Sequence, residues 1–313
     1  MRQAGLGIIL VAALVIAGVV AGERVKARDL YGETFVDGVP RSYTVFLPER
    51  ARERDGGVPV VIVLHGGRGD GMRVRRIMGL DPVAEREGFA VVYPDSLGRG
   101  WNDERDFHLG RSDDVAFLIR LKRSLVRRGL ADPDRVFVAG VSNGGMMVQR
   151  LACEAPGAFA GFASIIANMP VRVLDRCAPD RPAPMMVING TDDRIVPYDG
   201  GGVGFAGRRG AVVSTFATVE FWRAHNGCYG RPGRRMMPDR DPRDGSRVVM
   251  FYSTDCRGAP VLLLRVQGGG HRVPGSPLRD LPFLPERALG PQNNDISTAE
   301  VITRFFAGLD RTS

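Results

Sequence analysis

The stretch Arg135–Met147 reads RVFVAGVSNGGMM, and it carries a strand signal, a turn signal and a helix signal in succession. Arg135 to Ala139 is short and mostly apolar, as a buried strand is. Gly140-Val141-Ser142-Asn143-Gly144 then matches G-x-S-x-G, and Met146 to Ala152 continues as a helix candidate. A serine placed by glycines between a strand and a helix predicts a nucleophile elbow. Ser142 must sit on a sharp, strained turn with its hydroxyl exposed, so bulky side chains at 140 and 144 would clash. The five-residue match by itself also fits an ordinary Gly/Ser/Asn turn, and it is the flanking strand and helix that favour the elbow.

Upstream, Arg41–Leu47 (RSYTVFL) alternates as a strand at the start of the domain, after a leading segment from Arg28 to Asp37. Pro48 stops it, and Glu49 to Gly57 reads as a solvated hairpin or loop. Val58–Leu64 is a continuous apolar strand of the kind buried in a parallel sheet. It runs into His65-Gly66-Gly67-Arg68-Gly69-Asp70-Gly71, a loop whose backbone N–H groups can approach a ligand closely. No Gly-Lys-Ser/Thr follows, which excludes a P-loop, and the spacing excludes a dinucleotide fingerprint. Leu80 to Gly88 predicts a helix capped by Asp81 with Pro82 in its first turn, and Phe89 to Tyr93 the next strand. A loop through Arg99 to Asp103 and on to Arg111 leads to an amphipathic helix opened by Asp113-Asp114, and Ala131 to Asp134 is a turn into the nucleophile strand.

Downstream, strands are expected within 159–168 and at Pro184–Ile188, the latter ending at Asn189-Gly190-Thr191-Asp192-Asp193. A helix is expected at Thr215–His225, a hairpin or surface loop at Tyr229–Ser246, and strands at Val248–Thr254 and Val261–Val266. The last strand delivers Gly268-Gly269-Gly270-His271, and Ser297–Leu309 closes the chain as a helix with a Ser297/Glu300 capping box. Strand and helix signals alternate throughout, which places the chain in the α/β class, as an α/β-hydrolase with a mostly parallel central sheet and helices on both faces. One catalytic domain, residues 28–313, is expected behind an amino-terminal segment, residues 1–27.

A serine hydroxyl is a weak nucleophile that needs a base, and the base needs an orienting carboxylate. The chain has four histidines, so the search is short. His271 has the setting of a general base, on a glycine-rich loop at a strand end. His65 is read as fixing the glycine-rich loop through hydrogen bonds, His108 lies in the middle loop, and His225 sits at a helix carboxyl end, favourable with the dipole if charged. Asp192 and Asp193 are both candidates for the acid; one would orient His271 and the other accept backbone N–H bonds in the turn. The order Ser142, aspartate, His271 is that of α/β-hydrolases. The oxyanion hole calls for two converging N–H groups, one from Asn143 and one from the Gly67–Arg68 turn. These parts suffice for acylation of Ser142 by an ester and hydrolysis of the acyl-enzyme, with no metal or organic cofactor required.

The net charge of +8 permits contact with nucleic acid, but basic and acidic residues alternate, as in Arg50 to Asp55, and no aromatic-rich basic track occurs. A small or oligomeric ester is the expected partner, and nucleic acid is not. The apolar run Ala4–Ala21 is long for a secretory signal and just long enough to span a bilayer, so a cleaved signal peptide and an amino-terminal membrane tether both fit. No cysteine follows it to carry a lipid. Either way the domain is expected outside the cytoplasm, secreted or periplasmic. The four cysteines lack C-x-x-C spacing and allow three pairings; the sequential one, Cys153–Cys177 and Cys228–Cys256, closes two moderate loops and suits an oxidising compartment.

Several motifs resemble the secreted polyhydroxybutyrate depolymerase and feruloyl esterase-like family of α/β-hydrolases. They are LHGG at Leu64–Gly67, YPDS at Tyr93–Ser96, WND at Trp101–Asp103, GVSNGGMM at Gly140–Met147, NGTDDRIVPYDGG at Asn189–Gly201, NGC at Asn226–Cys228 and GGGHRVPG at Gly268–Gly275. The resemblance spans most of the mature domain and implies Ser142 as nucleophile, His271 as base and Asp193, not Asp192, as acid. It implies the same two disulfides, and a substrate-binding position at Trp101, against which stands a packed loop aromatic. The chain departs from the family at Asn189, where histidine is common and a structural change is expected, and at Gly67, where the family often has cysteine or another residue. No Ser/Thr-rich linker or polymer-binding domain follows, which favours hydroxyalkanoate oligomers or feruloyl-type aryl esters over solid polyester. An amidase or peptidase shares this machinery, and a non-catalytic binding protein is disfavoured by the intact Ser142, Asp193 and His271.

Overall fold

The computed structural model describes residues 28–51, 56–105, 112–278 and 286–309. The amino-terminal segment and His108 lie outside the described residues. Twelve strands occur among those described: β1 Arg28–Val36, β2 Val39–Leu47, β3 Val58–Leu64, β4 Ala90–Pro94, β5 Ala131–Val141, β6 Gly161–Ile165, β7 Met185–Gly190, β8 Gly201–Gly202, β9 Ala211–Val212, β10 Gly233–Met236, β11 Arg247–Ser253 and β12 Val261–Gln267. The helices are α1 Gly71–Met78, α2 Asp81–Glu87, α3 Asp114–Arg127, α4 Asn143–Glu154, α5 Val171–Leu174, α6 Thr215–His225, α7 Glu286–Leu289 and α8 Thr298–Leu309.

Ten strands form one sheet in the order β1-β2-β4-β3-β5-β6-β7-β12-β11-β10. The centre, from β4 to β12, is parallel, and an antiparallel hairpin closes each edge. Register puts Leu64 beside Gly140 and Gly140 beside Ser164, so the loops leaving β3, β5 and β6 emerge at one carboxyl edge. Side chains of β3 alternate between the two faces: Val60, Ile62 and Leu64 pack with α3 and α4, while Val61 and Val63 pack with α1, α2 and α8. Both faces are therefore buried, as the unbroken apolar run of β3 requires. Each such valine, leucine or isoleucine contributes about 1.5–3 kcal/mol by leaving water.

Four expectations need correction. The segment before Arg41 is a full strand, joined to β2 through Asp37-Gly38, both at positive φ (50° and 78°) as a two-residue hairpin turn requires. The glycine-dense run after β3 ends in a helix, α1, because the Asp70 carboxylate caps its first turn by accepting the Arg73 N–H at 2.7 Å. Asp81 does not cap α2; it accepts from Tyr93 Oη (2.6 Å) and pairs with Arg75 (2.5 Å). At α8, the Glu300 N–H reaches Ser297 Oγ at 3.4 Å, but the Glu300 carboxylate turns to Arg86 instead of closing the box. Among smaller differences, Ala131–Asp134 already belongs to β5, and 229–246 contributes strand β10 to the sheet.

Candidate active site

Strand β5 delivers Ser142 to the carboxyl edge, and Ser142 takes φ 55° and ψ −118° at the start of α4. Such a conformation costs about 1–3 kcal/mol and persists only when the surroundings hold it. Here the Ser142 N–H donates to the Ile165 carbonyl and the Ser142 carbonyl accepts from Met146, each at 2.9 Å. Glycine is required on both sides: a Cβ on Gly140 would overlap the Gly144 carbonyl, and one on Gly144 would meet the Leu64 and His65 carbonyls.

Loops after β7 and β12 bring the two partners. His271 Nε2 lies 3.0 Å from Ser142 Oγ, and His271 Nδ1 lies 2.7 Å from Asp193 Oδ2. His271 and Asp193 are both buried. Asp193 divides its carboxylate: Oδ2 faces the imidazole, while Oδ1 accepts the Ile195 and Val196 N–H groups, each at 2.8 Å. Both tasks that the sequence divides between two aspartates thus fall to one. Asp192 is exposed; its carboxylate accepts from the neighbouring Thr191 hydroxyl at 2.9 Å, and its N–H donates to the Gly269 carbonyl. An Nδ1–H imidazole donating to Asp193 leaves Nε2 to accept the serine proton, the arrangement general-base activation requires.

Asn143 is the first residue of α4, beside Ser142, and Gly67 stands across from it, close enough that a Cβ on Gly67 would lie 3.8 Å from the Asn143 Cβ. Arg68 is corrected here. Its N–H donates to the Arg99 carbonyl at 2.7 Å and is therefore engaged within the fold, whereas the Gly67 N–H meets no acceptor among the described residues. Trp101 is corrected as well. It is fully buried, its Nε1 donates to the His65 carbonyl at 3.0 Å, and its ring stacks on Phe117, so it lines no substrate pocket. Its backbone instead clasps Asn143: the Trp101 N–H donates to Asn143 Oδ1 at 2.8 Å, and Asn143 Nδ2 donates to the Trp101 carbonyl at 3.0 Å and to Asp103 at 2.7 Å.

His65 uses both ring nitrogens inside the fold. Nδ1–H donates to the Gly66 carbonyl at 2.8 Å, and Nε2 accepts the Ser96 N–H at 3.1 Å. Burial, the largest effect on it, lowers its pKa below the ordinary 6.5, in keeping with a neutral ring in that tautomer. His225 closes α6 with Nε2 at 2.9 Å from the Arg181 carbonyl. Asn189 is structural: its amide bonds Ala167, Asn168 and Thr215 at 2.7–3.2 Å and ties the ends of β6 and β7 together.

Ser142 and His271 open on a cavity of about 130 Å³. Its walls are mainly apolar, from Val74 and Ile77 of α1 and from Val273, Leu278 and Leu289 beyond the base. The sequence reading missed this wall because α1 itself was not expected. Disulfides join Cys153 to Cys177 and Cys228 to Cys256, the sequential pairing. Among the described residues no helix is long and apolar enough to cross a membrane.

The chain matches the family model described as "Esterase PHB depolymerase" over residues 41–169, a span that includes Ser142. It is 30% identical over 286 residues to "Putative esterase NocK" of Nocardia uniformis subsp. tsuyamanensis, covering 88% of this chain and 82% of that protein. It is 26% identical over 229 residues to "Feruloyl esterase B" of Piromyces equi, covering 69% of this chain and 40% of that longer protein. Among solved structures, "Acetyl xylan esterase from Aspergillus awamori" has the same fold, with a TM-score of 0.58 at 14% identity over 89% of this chain and 99% of that one.

Proposed function

The chain belongs to the esterase PHB depolymerase family of carboxylic ester hydrolases, and from this premise we propose that it cleaves soluble esters through an acyl-Ser142 intermediate. The observation that carries the reading is the relay Ser142 Oγ–His271 Nε2–Asp193, at 3.0 and 2.7 Å, with Ser142 and His271 lining one cavity. Ser142 Oγ attacks the ester carbonyl as Nε2 takes its proton, and Asp193 steadies the imidazolium through Nδ1–H. The N–H groups of Gly67 and Asn143 receive the developing oxyanion; one such donor is worth roughly 3–4 kcal/mol in the transition state. Nε2 then protonates the departing alcohol, and a water activated by the same nitrogen releases the acid.

Short hydroxyalkanoate oligomers and feruloyl-type aryl esters are the substrate classes proposed. The family match and the feruloyl esterase relative support both, and the modest, mainly apolar cavity favours small acyl groups over a polymer surface. Residues 28–313 would act as the catalytic domain, outside the cytoplasm, a reading supported by two disulfides that persist in oxidising compartments. The test is hydrolysis of chromogenic short-chain esters and labelling by a fluorophosphonate, with Ser142→Ala as control. Wild-type protein that neither cleaves nor labels overturns the proposal.

A further inference from the structure

The cavity over Ser142 is mainly apolar along its walls, yet Arg73 is also among its lining residues. Arg73 sits on α1 between the cavity residue Val74 and the cap Asp70. Its neighbour Arg75 on the same helix is neutralised by Asp29 at 2.7 Å and Asp81 at 2.5 Å. Among the described residues no carboxylate lies within ion-pair distance of Arg73, and the one beside it, Asp70, is turned to the helix end by the Arg73 N–H. A second arginine, Arg272, lines the same cavity directly after His271 and donates to Gln292 at 3.4 Å. A small apolar slot edged by cations and ending at a nucleophile fits a short chain with an anionic end.

We propose that this site selects esters bearing a free carboxylate, with Arg73 as the anchor for that group. The apolar wall holds the few carbons between the carboxylate and the ester bond. This rests on the reading of Ser142 as the nucleophile. An oligomer of hydroxy acids presents such a carboxylate on its alcohol half, and a dicarboxylate monoester presents it on its acyl half, so the chemistry is shared and the experiment separates the two.

Two matched pairs test it: the p-nitrophenyl monoester of glutaric acid against p-nitrophenyl pentanoate, and 3-(butyryloxy)butyrate against its methyl ester. In one pair the charged member is expected to win in kcat/KM by about tenfold, the order of one charge-assisted hydrogen bond. The winning pair tells which half of the ester enters the cavity. Arg73→Gln should erase that ratio through KM, Arg73→Lys should retain part of it, and Arg76→Gln, on the exposed side of the same helix, should keep it whole. Neutral esters cleaved as well as charged ones in both pairs would overturn the inference and leave the esterase reading standing. A preference that survives Arg73→Gln would remove Arg73 as its source. Failure to cleave all four esters would instead sink the esterase reading itself.

Discussion

His65 and His271 invite comparison. Each follows a buried strand, each lies in a glycine-rich loop, and each lines the cavity over Ser142. His65 spends Nδ1 on Gly66 and Nε2 on Ser96, so both nitrogens serve the fold. His271 spends Nδ1 on a buried carboxylate and offers Nε2 to Ser142. What separates a structural histidine from a catalytic one here is therefore the partner of each nitrogen, and neither loop composition nor burial tells them apart.

The comparison breaks most sharply at the base. His271→Gln, like Ser142→Ala, should lower kcat for a chromogenic ester on the order of 10⁶-fold with the fold retained by circular dichroism. Asp193→Asn keeps the shape but favours the wrong tautomer, and should cost roughly 10⁴-fold in kcat. His65→Gln should act on stability first. The Ser96 N–H and the Gly66 carbonyl lose their partner, at about 1–3 kcal/mol in urea unfolding, while fluorophosphonate labelling persists. The smallest effect is a pH slope. The folded pKa of His65 lies below its ordinary 6.5, so as pH falls the unfolded chain binds the proton first. Stability should be whole above about pH 6.5 and decline as pH falls through the interval down to the folded value. Urea midpoints between about pH 7.5 and 5 should show that slope in the wild type and a flatter one in His65→Gln.

Much of this was legible in the chain because it is local. The G-x-S-x-G turn at Ser142, the unbroken run Val58–Leu64 and the cap at Asp113 each state their structure within a few residues, and α6 begins and ends where its pattern does. Other features depended on distant partners. Glu300 has the position for a capping box and bonds Arg86 instead, and Asp81 has the position for a cap and bonds Tyr93 and Arg75. Trp101 in a polar loop reads equally as a pocket wall, until its ring is seen between Phe117 and His65. The Asp37-Gly38 hairpin was the signal available and passed over: that dipeptide between two strand-like runs announces the β1–β2 turn. Helix α1 was hidden because glycines at 66, 67, 69 and 71 mask its start, and only the Asp70 cap betrays it.

The loop from Arg99 to Asp103 holds both flanks of the oxyanion site proposed at Gly67 and Asn143. The Arg99 carbonyl holds Arg68, the residue after Gly67, and Trp101 with Asp103 holds the Asn143 side chain. On that proposal the gap between the Gly67 and Asn143 N–H groups is gauged by a third segment, independent of the strands that carry the nucleophile and the glycine-rich loop. Remodelling that largely buried loop to widen substrate scope would, on the same proposal, retune the reaction's rate along with its selectivity, since the same few peptide units would serve as the spacer of the transition-state cradle.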